Sequence, residues 1–305
     1  MKAADALPLV ALSVIWGSAF TMNDVVVDEV DPFTIVAGRL LLSAVLLGAA
    51  VVLFRRSLPP PSAWGVLLVL AVLNNLVPFT LITWAQQHIA SSLAATLNAT
   101  MPLMTFAIAA AAGTERPAPD RALGVVVGFL GAVVLIGPDL ADITSSDALG
   151  DLAVLGGSAG YAVSTVIARQ KLQGDAISLA SGQMIFGALI AVPLALAIDG
   201  SPDLSISAQA SLSWIGLGAL SSGLAYVIFF TLVQRMSATS ISLVSYLIPL
   251  VATVMGWAVL DEQISVNLFV GLALIIVGML LVNGVAQRHA PGAPDHGAGT
   301  PVSGD

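Results

Sequence analysis

Long apolar runs separated by brief polar clusters set the pattern of this chain. The runs cover residues 7–25, 33–54, 64–84, 90–112, 121–138, 149–167, 177–197, 213–233, 239–260 and 266–284. A helix rises about 1.5 Å per residue, so roughly 20 apolar residues cross a hydrocarbon core of about 30 Å. Each run therefore predicts one membrane-spanning helix. The expected fold class is all-α integral membrane, with ten transmembrane helices. The polar breaks leave no room for a soluble domain. The closing stretch 285–305, "VAQRHAPGAPDHGAGTPVSGD", is polar and rich in Pro and Gly, and predicts a disordered cytoplasmic tail.

Composition agrees with the pattern. Only 9% of the 305 residues are charged and 57% are hydrophobic, whereas a soluble domain is about a quarter charged. Lys2 before the first run gives it the look of a signal peptide. The run is long for that role, however, and no A-x-A-like site follows it. There is no cysteine, hence no disulfide and no thiolate metal site.

The charges alternate between the breaks. Lys2, Arg55, Arg56, Arg116, Arg121, Arg169, Lys171, Arg235 and Arg288 all fall on one side of the ten predicted spans. The other side holds Asp24, Asp28, Glu29, Asp31, Asp139, Asp142, Asp147, Asp151, Asp199, Asp203, Asp261 and Glu262, with no Lys or Arg. By the positive-inside rule both termini are expected in the cytoplasm of a multi-pass cell (inner) membrane protein.

The chain also repeats itself. Pro102, Glu115, Gly124 and Gly131 recur as Pro249, Glu262, Gly271 and Gly278, each 147 residues later. Trp16 and Tyr161 correspond at an offset of 145. The halves are 1–138 and 149–284, five helices each. Five is odd, so the second half enters from the opposite side, an inverted repeat as in many secondary transporters. Glu115 and Glu262 read as carboxylates favoured by the N-terminal dipoles of the fifth and tenth helices. The paired glycines read as close helix contacts.

With "VIWGSAF" in the first helix, the duplicated Pro…Glu…Gly…Gly pattern and the ten-helix layout, residues 7–284 resemble the EamA family of the drug/metabolite transporter superfamily. The resemblance implies small-metabolite transport, often amino-acid export. It also implies a cavity lined by both halves, with the fifth and tenth helices as peripheral scaffold.

Polar side chains inside spans are the candidates for a site, because they are costly in lipid and face protein or water. Arg39 is the one ionised side chain well inside a predicted span. It either grips a carboxylate with two parallel hydrogen bonds or snorkels outward toward Asp31. Asn74 and Asn75 lie in the middle of the third helix. Ser91, Asn98, Pro102 and Thr105 share one face of the fourth, and Ser242, Ser245, Pro249 and Thr253 repeat that stripe in the ninth. Asn98 and Ser245 read as cavity lining rather than only interhelical hydrogen-bonding groups. Trp16, Tyr161 and Tyr226 sit near span centres, away from the interfacial aromatic belts, and read as cavity walls or as packing. Tyr246 adjoins Ser245 as a further candidate, and His88 reads as an interfacial hydrogen-bonding group. Pro102 and Pro249 read as hinges, or as packing features whose freed carbonyls find partners.

Absences narrow the class. No Asp or Glu is expected deep in a span, which argues against a buried carboxylate proton relay. One arginine is a poor clamp for polyphosphate. No P-loop or hydrolase constellation is present, so neither ATP-driven transport nor an enzyme is expected. Neither cofactor nor metal nor nucleic acid is called for. The partners are a small-molecule substrate and the lipid bilayer, and a monomer is sufficient for a complete site. The reading is a secondary transporter, exporting a small neutral or zwitterionic metabolite such as an amino acid by alternating access. The alternatives are an efflux carrier of hydrophobic or weakly basic drugs, in which Arg39 is dispensable, and a non-transporting scaffold or receptor, which leaves the central polar residues unexplained.

Overall fold

The computed structural model describes residues 3–115, 118–137, 145–235 and 243–288. Lys2, Arg116, Asp139, Asp142, Ser242 and the tail beyond Arg288 lie outside the described residues. Among the described residues the chain forms ten helices: α1 Ala3–Val27, α2 Pro32–Leu53, α3 Pro61–Ala85, α4 Ser91–Ala111, α5 Pro119–Ile136, α6 Ser146–Lys171, α7 Ala176–Ile198, α8 Ala208–Arg235, α9 Leu243–Leu260 and α10 Val266–Arg288. Nine of these, as described, are long and apolar enough to cross a membrane, and the described part of α9 is an apolar helix of 18 residues. This is an all-helical, multi-pass membrane protein.

Local chemistry starts the helices where the polar breaks fall. Pro32, Pro61 and Pro119 open α2, α3 and α5, where a missing N–H costs nothing and φ is already helical. Ser145, Asp175 and Ser207 cap α6, α7 and α8 through side-chain oxygens that accept from Ala148, Ser178 and Ala210. The tight turn into α10 is made at Asp261, which adopts a left-handed φ of 54°. The Glu262 N–H then returns to the Gly256 carbonyl at 3.1 Å.

The inverted relation of the halves is visible where α5 crosses α10. A Cβ on Gly124 would lie 2.7 Å from the Gly278 carbonyl, and one on Gly278 would lie 2.5 Å from that of Gly124. Gly131 and Gly271 face each other in the same way, at 2.6 and 2.9 Å. Gly271 and Gly278 are Gly124 and Gly131 plus 147, so each glycine faces the repeat mate of the other. That exchange is what a two-fold relation produces. The outer sides of this pair, Leu123, Val126, Leu130, Val133, Phe269, Val270, Val277 and Leu280, are exposed, as lipid-facing side chains are.

The interior is built from facing apolar stripes. Val36, Leu40 and Leu47 of α2 pack with Met184, Ala188 and Ala191 of α7. Gly17 of α1 lets the chain approach Val251 and the Ile248 carbonyl of α9.

Three helices are irregular. α3 carries a π-helical segment at Ala71–Leu76, and α8 carries one at Leu217–Leu224. The Val77 N–H reaches back to Val72 and the Ala225 N–H to Leu220, five residues in each case. α4 is broken into Ser91–Asn98 and Met101–Ala111, whereas α9 runs unbroken through Pro249.

Several sequence expectations are corrected by this geometry. Asp24 is not in a connection but inside α1, which continues to Val27. Asp151 is likewise inside α6 and fully buried, because α6 begins at Ser146. Glu262 does not serve the N-terminus of its own following helix, which Ser265 caps through Leu268. Its carboxylate accepts from the Ser91 and Ser92 N–H groups at 2.7 and 3.2 Å. Glu262 thus satisfies the start of α4 across the bundle. Glu115 pairs with Arg121 at 3.0 Å and Arg169 at 3.8 Å.

Candidate functional site

Each π-segment carries a pair of polar residues. Asn74 and Asn75 lie in the segment of α3, and Ser221 and Ser222 lie in the segment of α8. The serines follow the asparagines by 147 residues, so they are repeat mates that the sequence reading missed. Their signal was that offset, already known from the glycines. A π-turn leaves backbone groups out of α register and often marks a functional position.

A helix from the opposite half holds each segment. Arg39 of α2 donates from Nε to Ser222 Oγ at 2.7 Å and from Nη2 to Ser221 Oγ at 2.9 Å. Ser43, one turn on, donates to the Gly218 carbonyl at 2.9 Å. Gln183 of α7 donates to Asn75 Oδ1, and Asn75 Nδ2 lies 3.5 Å from Met184 Sδ. α2 and α7 are counterparts in the two halves, so the two clasps are counterparts too. They differ in charge, since only the α2 clasp carries a cation.

Arg39 does not snorkel. Its guanidinium turns into the bundle, with its central carbon 3.8 Å from the ring centre of Phe79. Among the described residues it has no ion-pair partner within 4 Å; the three salt bridges lie elsewhere. It is partly buried rather than sealed. Its contacts are with the neighbouring helices α3 and α8. The cation thus lies on a π face with neutral hydroxyls as its acceptors.

Most of the aromatic candidates gather around it. The Trp16 indole N–H donates to the Ser221 carbonyl at 3.0 Å. Its ring stands edge-on to Tyr226 at 6.4 Å and tilted against Phe229 at 5.5 Å. Tyr226 OH accepts from Asn74 at 3.2 Å, and Asn74 Oδ1 accepts from Ser164 at 2.9 Å. Tyr161 packs edge-on to Phe79 at 6.4 Å, on the ring that carries Arg39. Phe79, Ser164 and Gln183 complete the cluster.

Other candidates lie apart from these contacts. Asn98 accepts from Ser158 of α6 at 3.0 Å, just before the break in α4. Tyr246 accepts from Asn283 of α10 at 2.8 Å. Ser245 is partly buried beside it on α9. Ser91 is buried at the capped end of α4, and Thr105 and Thr253 bond carbonyls of their own helices, so the two stripes are not continuous polar faces. His88 lies in the α3–α4 turn, edge-on to Trp84 at 4.8 Å. No group of three metal-ligating residues occurs among the described residues.

Residues 6–137 and 148–284 each match the model of the EamA-like transporter family. The chain belongs to that family. It is therefore a transporter with two EamA domains, and not an enzyme. Relatives are distant along the whole chain. The uncharacterized transporter YoaV of Bacillus subtilis is 24% identical over 277 residues, covering 90% of this chain and 95% of that protein. The uncharacterized inner membrane transporter YedA of Escherichia coli K12 is 27% identical over 298 residues, with 92% of each chain covered. One solved crystal structure superposes with a TM-score of 0.69 at 18% identity, over 94% of this chain and 99% of that one, and shows the same fold. Membership of a transporter family implies a small-molecule substrate.

Proposed function

We propose that this EamA transporter exports a small neutral or zwitterionic metabolite, an amino acid above all, by alternating access between its two halves. The observation that carries the reading is Arg39. A guanidinium inside an apolar bundle, with neutral hydroxyls as its acceptors and a ring face beneath it, is set to receive one carboxylate. A single cation suits a monocarboxylate and not a polyphosphate. Trp16, Tyr161 and Tyr226 offer ring faces and edges to the rest of the substrate, and Asn74 and Asn75 offer amides. Asn98, Ser245 and Tyr246 extend the path along α4 and α9, with Pro102 and Pro249 as its hinges.

The charge alternation supports an orientation with both termini in the cytoplasm. YedA, by its name an inner membrane transporter, supports the same compartment. The second reading, efflux of hydrophobic or weakly basic compounds, is favoured by the aromatic walls around Trp16 and Phe79.

The deciding experiment is uptake into liposomes by the purified protein, with radiolabelled neutral amino acids and a cationic dye run side by side. Carriage of an amino acid that Arg39→Gln weakens on the order of tenfold or more supports the first reading, since a charge-assisted bond contributes about 1.5–3 kcal/mol. Carriage of the dye alone, indifferent to Arg39→Gln, replaces it with the second.

A further inference from the structure

We propose that Ser221 and Ser222 form a hydroxyl latch on Arg39, and that the substrate's carboxylate opens it. The inference rests on the reading of Arg39 as the carboxylate's partner, and adds to it a coupling between binding and movement. The two serine oxygens occupy the guanidinium's Nε and Nη2 hydrogens, which are donors that a carboxylate would take. They reach it together because they are consecutive residues of the wide π-turn in α8, whereas Arg39 belongs to α2 of the other half. The latch therefore ties one half to the other at the binding site.

The exchange is directional. Hydroxyls are neutral acceptors, whereas a carboxylate adds the attraction of opposite charges and takes two parallel N–H donors of the guanidinium at once. A carboxylate arriving at Arg39 displaces the serines. Ser221 keeps an acceptor of its own, the Leu217 carbonyl at 3.1 Å, so it stays paired when Arg39 lets go. The backbone of the segment stays joined to the first half through Ser43 to Gly218 and Trp16 to Ser221. Those two bonds are the pivot, and the serine side chains are the catch. The counterpart clasp, Gln183 on Asn75, joins two neutral amides and offers a carboxylate no such advantage. Substrate thus frees α8 but not α3, which gives the cycle a direction of response that an exact two-fold would lack.

The test uses the full chain in liposomes, with L-leucine, L-phenylalanine and L-threonine as radiolabelled probes and their carboxamides as competitors. In the Ser221→Ala/Ser222→Ala double variant the carboxylate no longer competes with hydroxyls. Its apparent affinity is expected to rise on the order of tenfold, while the maximal transport rate falls because binding no longer trips the catch. Competition by the carboxamide should not change. Ser221→Thr/Ser222→Thr, which restores both hydroxyls, should return affinity and rate toward wild type. A merely structural role for the serines would lower affinity and rate together. Unchanged or weaker affinity in the Ala variant, at normal protein levels, overturns the latch. The Arg39 reading is checked separately: Arg39→Gln should erase the preference for acid over amide. If it does not, or if wild type binds none of the three amino acids, the site assignment fails and the latch fails with it.

Discussion

Asn75 and Ser222 are repeat mates, and each accepts a hydrogen bond from a helix of the opposite half: Gln183 donates to Asn75, and Arg39 donates to Ser222. The inverted repeat thus closes on itself twice across the interior. The two closures are chemically unequal. Both acceptors are fully buried, but the donor is a neutral amide in one closure and a cation in the other.

That inequality predicts different outcomes for loss of each donor. Gln183→Leu leaves Asn75 Oδ1 without its donor in a dry place, which costs about 1–3 kcal/mol. The melting temperature in detergent should fall and transport should fall with it. Arg39→Gln keeps a donor for the buried serines, and Ser221 retains the Leu217 carbonyl, so stability should fall less while carboxylate binding weakens. Arg39→Lys should recover only part of the binding, because an ammonium lacks the planar fork. Equal destabilisation by Gln183→Leu and Arg39→Gln would show that the α2 clasp is structural.

The glycine crossing of α5 and α10 makes a second prediction. Gly131→Ala and Gly278→Ala each place a Cβ within 3 Å of a backbone atom of the facing helix. Backbone cannot swing aside as a side chain can, so each should cost roughly 1–3 kcal/mol as overpacking. Gly48→Ala on α2 meets nothing within 4 Å and serves as the control. Thermal melts of the three variants check this, and an unshifted Gly131→Ala would disprove the close crossing.

Glu262 gives a third. Its carboxylate holds the first N–H groups of α4 from the α9–α10 turn. Glu262→Ala should cost about 0.5–2 kcal/mol, as loss of a helix cap does, and should speed hydrogen exchange at Ser91 and Ser92. Glu262→Gln retains an acceptor and should show a smaller change. Protection at Ser91 and Ser92 that survives Glu262→Ala would remove the cross-bundle cap.

The spans and the repeat were legible in the sequence because lipid imposes length and charge rules on every segment. The repeat offset was legible too, and it contained more than was drawn from it: 147 residues beyond Asn74 and Asn75 stand Ser221 and Ser222. A serine pair in an apolar run gives no signal by itself, since hydroxyls in membrane helices commonly bond their own backbone, as Thr105 and Thr253 do here. Pro78 follows the first π-segment and Gly218 and Gly223 lie in the second, but such residues are common in membrane helices and do not by themselves specify a π-turn. Glu262 was read as a local cap because sequence shows neighbours along the chain, and Ser91 is 171 residues away. In the sequence Asp24 and Asp151 look like the ends of spans because charge is costly in lipid, but α1 continues past the first and α6 starts before the second.

Orientation is the fourth prediction. Arg55, Arg56, Arg169 and Lys171 should lie inside the cell, and Asp147, Asp199 and Asp203 outside. With no native cysteine, single cysteines report cleanly. Ser145→Cys and Ser201→Cys should react with an impermeant thiol reagent on whole cells, and Ser57→Cys should react only after lysis. Labelling of Ser57→Cys on intact cells with protection of Ser145→Cys would invert the topology.

The fifth prediction concerns the two prolines, which the repeat pairs and the structure treats differently. Pro102 sits at the second residue after the break in α4, where Ala99 and Thr100 make tight bonds to Thr96 and Leu97. Pro249 is carried inside a continuous α9. A proline removes one helical hydrogen bond and clashes with the preceding turn, so each is a place where bending costs little. If bending at one opens the path to one side of the membrane and bending at the other opens it to the opposite side, the present shape has α4 broken and α9 continuous. Restoring an N–H at the broken position should then have the larger effect on shape. Pro102→Ala is expected to favour a continuous α4, and Pro249→Ala to make α9 harder to bend. Both variants should fold and bind, and both should carry substrate more slowly. A cysteine in place of Ser245 should change its accessibility to a thiol reagent in opposite directions in the two backgrounds, and further with Pro102→Ala. Wild-type transport and wild-type accessibility in both would assign the prolines to packing, their freed carbonyls satisfied by neighbours.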